Sequence, residues 1–317
     1  MRTRRILATT LGVGALLLGT ACAADDVGET DSGTDSGSTE DKGSVNLLSQ
    51  DFTEAAIVTN MYKLLLEDAG YTVDMNLVGT RDIYMRLLPD DVDVVPEYVG
   101  GVADYLNTEA NGAEAEPITT SDPEETLEKV QPLAEEKGVT LLEPAEASDQ
   151  NAFFVTQEFA DANSLTTLSD LAALGEPVVL AAAEDCGSRP DCGAGLRDTY
   201  GIEISKVLGL GFASPQTYES VLSGESQLGL TSTTDGSLES QGLTLLEDDQ
   251  QIQPAQNLVP MVRTAFLEEN ADVEELLNGL MAEISTEDLT ELNGQVGNER
   301  ALPEDVARDY LEEKELL

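Results

Sequence analysis

Apolar positions along the chain fall in short blocks that switch between two periods. Val45-Asn46-Leu47-Leu48 reads as a strand. Ala56, Ile57, Met61, Leu64 and Leu65 then recur at helical spacing through residues 53–69, and Gly70 stops the run. Residues 72–78 alternate as a strand, 80–88 read as a helix, and Val92-Asp93-Val94-Val95 as a further strand. A second series begins near Asn151, with strands at 152–155, 177–182 and 227–230 and helices at 168–174, 193–200 and 216–222. Strand–helix–strand repetition of this kind predicts an α/β protein with largely parallel sheets covered by helices. Val273, Leu276, Leu277, Leu280, Met281 and Ile284 fall on one helical face. Residues 289–293 and 306–311 continue the pattern, with Pro303 suited to a first helical turn. These stripes are core and carry no site.

The first forty residues have a different grammar. Arg2, Arg4 and Arg5 precede an apolar run from Ile6 to Leu18, and the small residues Gly19, Thr20 and Ala21 lead into Cys22. The run is shorter than the ~20 residues a membrane span needs. It predicts an export signal over residues 1–21, with Cys22 as the lipid-bearing first residue of a lipoprotein. An ordinary secretory signal cut near Ala24 is the alternative. Residues 22–44 supply that Cys and then Gly, Ser, Thr and acids, which bury nothing and read as a flexible tether to the outer face of the cell membrane. The folded part divides into lobe 1 (45–148 plus 237–317) and lobe 2 (149–236).

Charge narrows the function. The 317 residues hold 16 Lys+Arg against 62 Asp+Glu, no His, and a formal net charge of −46. Nucleic acid is excluded as a partner, because phosphate binding needs clustered cations. Without His there is no Ser-His-Asp or Cys-His nucleophile and no His-ligated metal; no cofactor is expected. Most of the acids read as a solvated exterior. Cys186 and Cys192 close the short segment Cys-Gly-Ser-Arg-Pro-Asp-Cys, which outside the cell reads as a disulfide. A zinc site there lacks its remaining ligands.

In open α/β sheets the ligand lies beyond the carboxyl ends of the strands. That points to loops 49–53, 96–101, 147–151, 183–193 and 231–235. The same loops carry a likeness. Ser49-Gln50-Asp51-Phe52-Thr53-Glu54 with Asn60-Met61-Tyr62, Asp91-Val92-Asp93-Val94-Val95-Pro96-Glu97-Tyr98-Val99-Gly100, Thr234-Asp235-Gly236 and Leu246-Glu247-Asp248-Asp249 form one ordered set. Leu292-Asn293, Val296, Pro303, Val306-Ala307 and Tyr310-Leu311 complete it. The set resembles the substrate-binding proteins of osmoprotectant ABC importers, which take up glycine betaine, choline, carnitine and related compounds. It spans the chain from Val45 onward. The resemblance implies a two-lobed type II periplasmic-binding-protein fold with a hinge and an interlobe cleft. It also implies delivery of a small polar or zwitterionic solute to the transmembrane subunits of an ABC permease, with no covalent chemistry.

The residues of such a site follow from the solute. A quaternary ammonium donates no hydrogen bond and is held by the faces of aromatic rings. A carboxylate is held by N–H groups at a helix start and by an Arg fork. Gln50, Phe52 and Thr53 open the first helix, and Arg189 lies where the family often has its carboxylate-binding Arg. The alternative for Arg189 is an ion pair with Asp185 or Asp191. The family builds its ammonium cage from several Tyr, and Tyr98 matches one of them. The other cage positions fall at Asn151, at Leu210–Phe212 and at Ser232, and Gly101 stands where the family has Thr. Two readings stay open. Either Tyr84, Tyr105 and Phe52 replace the missing rings, or Asp149, Asn151, Ser232 and Thr233 hold a solute with its own N–H donors, such as an amino acid or an ectoine-like compound. For Tyr84 and Tyr105 the competing reading is half-buried packing. A sensory receptor on the same fold, and an enzyme using Asp149 with Glu97, are the alternatives of other classes; with 62 acids, chance carboxylate pairs are expected.

Overall fold

A computed structural model describes residues 41–317 apart from Pro89. The export signal, Cys22 and most of the tether lie outside the described residues. The chain runs β1 (Ser44–Gln50), α1 (Thr53–Asp68), β2 (Thr72–Val78), α2 (Arg81–Leu87), β3 (Val94–Tyr98), α3 (Val99–Asn111), α4 (Pro123–Glu136) and β4 (Val139–Leu141). It continues with β5 (Asn151–Thr156), α5 (Gln157–Asn163), α6 (Leu168–Ala173), β6 (Val178–Ala182), α7 (Gly193–Asp198), β7 (Ile204–Gly209), α8 (Pro215–Leu222), β8 (Leu228–Ser232), α9 (Leu238–Gln241) and β9 (Leu243–Leu246). It ends with β10 (Leu258–Arg263), α10 (Thr264–Glu269), α11 (Asp272–Glu283), α12 (Thr286–Glu299) and α13 (Pro303–Glu313).

Two sheets result, β2-β1-β3-β10-β4 and β7-β6-β8-β5-β9. They are mixed, where the sequence pattern predicts largely parallel sheets. β10 runs antiparallel to β3 and β4, and β5 runs antiparallel to β8 and β9. The reason is topological: these two strands carry the chain from one lobe to the other, so each enters its sheet from the crossing end. Residues 142–150 make the outward crossing and residues 247–257 the return. The return therefore falls after β9, and not at 236/237, because Phe153–Thr156 pair with Leu246–Leu243 and hold β9 in the second sheet. The tether also ends earlier than expected. Lys42 bonds Asp272 at 2.5 Å and its N–H reaches the Gly70 carbonyl, so the fold already includes it.

β3 and β10 face each other with Pro96 opposite Pro260. A proline cannot donate to a ladder, but the Pro260 carbonyl turns the other way, to the Leu142 N–H at 2.9 Å. The two prolines thus meet at a point where neither needs a donor toward the other.

Each sheet has cores on both faces. In lobe 1, Ile57, Val58, Met61 and Leu64 of α1 pack with Leu277, Leu289, Leu292 and Val306, and α2–α4 cover the opposite face. In lobe 2, Phe153, Leu180, Leu196 and Leu230 form the larger core, and Phe154, Val221 and Leu238 the smaller. Cys186 and Cys192 are joined and fully buried in that larger core. A bridge closing a loop of this size removes ~2 kcal/mol worth of unfolded-chain freedom. Cys186→Ala combined with Cys192→Ala is expected to lower stability by about that amount in urea unfolding; an unchanged midpoint would refute the assignment.

Candidate functional site

α1 begins where Phe52, in extended backbone, hands over to Thr53, and no side chain among the described residues caps its N-terminus. Its first-turn N–H groups thus lack a side-chain cap among the described residues. β3 ends at Tyr98, whose ring stacks on Phe52 with centroids 6.3 Å apart and planes at 27°. Tyr98 is 8% exposed and Phe52 39%, so the pair forms a wall with a solvent-facing edge. The Tyr98 hydroxyl donates to Glu54 Oε1 at 2.5 Å. Glu54 is itself buried, and its other oxygen accepts from Asn293 Nδ2 of α12 at 2.7 Å.

The outward crossing brings a second acid to the same place. The Asp149 N–H bonds the Gln256 carbonyl of the return crossing at 3.1 Å, which pins the two crossings together. Its Oδ1 accepts from the Thr234 hydroxyl at 3.1 Å, and Ser232 Oγ stands 3.4 Å from that hydroxyl. Burial, and then the neighbouring Glu54 charge, push the Asp149 carboxyl up from 3.8 to about 7. Burial likewise raises Glu54, against the pull of hydrogen bonds from Tyr98, Thr234 and Asn293. Burial, and then Glu54, raise the Tyr98 phenol, which therefore stays a donor. Two carboxyls in one half-buried place oppose each other's ionisation, and a cation between them removes that opposition.

The other expected residues are placed as follows. Gln50 ends β1, half-buried, and Thr53 is the exposed first residue of α1. Thr233 lies in the same turn as Thr234, but its hydroxyl is used on the Ser148 carbonyl at 2.8 Å. Asn151 pairs with Ser232 in the β5–β8 ladder, and its Nδ2 donates to Asp191 Oδ2 at 2.9 Å. Arg189 Nε donates to Asp191 Oδ1 at 3.0 Å, its Nη2 to Asp191 Oδ2, and Nη1 lies 3.8 Å from Asp185. The ion pair is the arrangement present, so Arg189 is neutralised within its own loop. A cavity of about 400 Å³ lies against both crossings and is lined by Asn151, Thr233, Ser148 and Gln253 among others.

Of the three rings considered as replacements, only Phe52 reaches Tyr98. Tyr84 is fully buried and donates to Glu97, and Tyr105 packs against the lobe 1 core. Glu97 is not the partner of Asp149. It takes the Arg81 fork, with Nε at 2.6 Å and Nη2 at 2.9 Å, together with Tyr84 and the Tyr98 N–H. The acid that meets Asp149 is Glu54. Glu54, Thr234 and Asn293 are functional candidates that sequence reasoning missed, although each sits inside a quoted motif.

Two mixed α/β lobes joined by two crossings, with rings and acids gathered where the lobes meet, define a solute-capturing protein of the type II periplasmic-binding class. Residues 43–313 match the substrate-binding domain of ABC-type glycine betaine transport systems, and the chain belongs to that family. It is 28% identical over 273 residues to the glycine betaine-binding protein YehZ of Escherichia coli K12, covering 83% of this chain and 88% of the relative. It is 26% identical over 265 residues to the carnitine transport binding protein OpuCC of Listeria monocytogenes, covering 82% and 83%. The solved structure of apo YehZ superposes with a TM-score of 0.72 at 26% identity, covering 86% of this chain and 99% of that one. Members of the family are extracytoplasmic components that bind small solutes and deliver them to permeases; the family is one of binding proteins and not of enzymes.

Proposed function

We propose that this chain captures a small quaternary-ammonium solute of the osmoprotectant type and holds its cationic end against Glu54, Asp149, Tyr98 and Phe52. The observation that supports this reading is the meeting of the buried Glu54 and the half-buried Asp149, carboxyls from different segments, beside a stacked ring pair. Two rings are fewer than a full cage provides, and two carboxylates supply the missing attraction by charge. The unpaired first turn of α1 suits a carboxylate at the other end of a zwitterion. Arg189 reaches a carboxylate only by exchanging Asp191. The N-terminal pattern supports export with lipid on Cys22, which tethers the lobes near the permease.

The test is calorimetric titration and thermal melting of the exported protein with glycine betaine, choline, carnitine, ectoine and common amino acids. A solute at 100 times its Kd adds ~2.7 kcal/mol of stability. A quaternary amine is expected to shift the melt. Because Asp149 holds its proton up to about pH 7, binding of a cation below that pH expels a proton. Affinity therefore falls by up to about tenfold per pH unit below pH 7 and levels off above pH 8. If only solutes with N–H donors bind, with no such slope, the polar groups Asn151 and Ser232 define the site and the cation reading fails.

A further inference from the structure

α12 belongs to lobe 1, since its Leu289 and Leu292 pack in the core that α1 shares. The opposite face of α12 meets lobe 2. Asn293 Nδ2 and Asn298 Nδ2 donate to the carbonyls of Thr234 and Gly236 at 3.0 and 2.9 Å, and Thr290 Oγ1, which bonds the Thr286 carbonyl of its own helix at 2.8 Å, lies 3.4 Å from the Thr233 carbonyl. Gly236 and Gly294 make this approach possible. A Cβ on Gly236 would stand 2.5 Å from the Gly294 nitrogen and 2.7 Å from its Cα, closer than real Cβ atoms come. The contact ties the lobes together at a place separate from both crossings.

Asn293 is the one member of this row that also touches the candidate site. Its amide nitrogen donates to Glu54 of lobe 1 and to the Thr234 carbonyl of lobe 2, and its Oδ1 has no partner among the described residues. Thr234 in turn donates to Asp149. Glu54, Asn293, Thr234 and Asp149 thus form a chain of hydrogen bonds that starts in lobe 1, crosses the lobe boundary and ends on the crossing. We propose that Asn293 is the positioning residue that couples occupation of the cation site to closure of the lobes, an inference that rests on the cation reading above. A solute cation keeps Glu54 ionised, and a charged acceptor strengthens the Asn293 bond. That fixes the amide where its second N–H reaches Thr234 across the boundary. By linkage, closure then favours solute binding by the same factor.

The test uses the exported protein, glycine betaine as zwitterion and tetramethylammonium as bare cation. Asn293→Leu keeps the volume and removes both hydrogen bonds. It is expected to raise the Kd of both probes by about 10- to 100-fold. It is also expected to move the pH midpoint of binding upward, because Glu54 loses a donor that favours its charged form. The titratable groups facing Glu54 and Asp149, besides each other, are Tyr98 from β3 and Asp235 from the lobe 2 turn, and the substitution leaves both in place. Single-molecule fluorescence between labels on the two lobes reads closure, which glycine betaine should drive in wild type and not in the variant. Asn298→Leu removes a lobe contact only and should weaken closure with the midpoint unmoved. An Asn293→Leu protein with wild-type Kd, or with weakened binding at an unmoved midpoint, overturns the coupling. If wild type binds neither probe, the cation reading falls. The unliganded interlobe distance then still decides whether Asn293 ties the lobes, and an unchanged distance in Asn293→Leu rejects that too.

Discussion

Asp149→Asn is expected to produce a protein that is more stable at pH 8 than the wild type and holds a quaternary ammonium about 30- to 1000-fold more weakly. The sign of the stability change follows from the proton. In the unfolded chain this carboxyl ionises near 3.8, and in the fold at about 7. A raised acid stabilises the fold fully below its unfolded value, and that contribution is lost as pH rises through the folded one. A rise of about 3 pH units, at ~1.36 kcal/mol each, amounts to about 4 kcal/mol lost between pH 4 and pH 8. Asn carries no charge at any pH and still accepts from Thr234, so the variant escapes the loss. The many surface acids give both proteins a common slope with pH, and the difference between them isolates Asp149. Urea unfolding of both proteins at pH 5 and pH 8, without solute, reads it. A gap that is the same at both pH values would mean that Asp149 is ionised throughout and that the acids do not oppose each other. Weak opposition would also remove the reason for a cation, so stability and affinity are two readings of one interaction: the site is costly when empty because it suits a positive charge.

How much of this was legible in the sequence depends on range. α1, β2, α2 and the C-terminal helices follow local periodicity, and β3 and β8 are flanked by motifs that fix where their loops fall. Tyr98 and Ser232 were legible for that reason. Glu54 was not singled out because an acid in the first helical turn already has a reason to be there, the helix dipole. Only the fold shows that its carboxylate turns away to Tyr98 and Asn293. Asn293 follows Leu292 on an amphipathic helix and reads as its polar face. Its importance comes from a turn almost sixty residues earlier in the chain, which no local pattern encodes. Arg189 illustrates the opposite case, since of its two readings the fold shows the ion pair. A rigid loop and a family position favour a ligand, but an acid two residues away competes at a far smaller ordering cost. β9 was missed because four residues before an Asp-Asp pair give too little alternation to separate strand from loop.

Arg81→Leu carries the other large effect, and it falls on stability. Glu97 has no exposed surface, and its two oxygens accept from Arg81 Nε and Nη2, Tyr84 Oη and the Tyr98 N–H. Arg81 is the cation that neutralises this buried carboxylate. Removing it leaves an uncompensated charge, which costs about 3–5 kcal/mol, or roughly 10 °C of melting temperature in a fold of this size. Leu in place of Glu97 as well should restore most of the loss, because replacing both partners removes the charge along with its counterion. Thermal melts of wild type, the two single variants and the double variant form the cycle. Equal losses that simply add would show that the pair is not coupled. The same geometry accounts for Gly101, which stands where the family has Thr. A Cβ there would lie 2.9 Å from Arg81 Cζ and 3.2 Å from Nη1, so a larger residue pushes the guanidinium off Glu97. Because the Glu97 carboxylate also holds the Tyr98 N–H, this ion pair fixes the end of β3 that presents the Tyr98 ring. Solute affinity in Arg81→Leu should therefore fall together with stability, whereas in Asp149→Asn the two move in opposite directions.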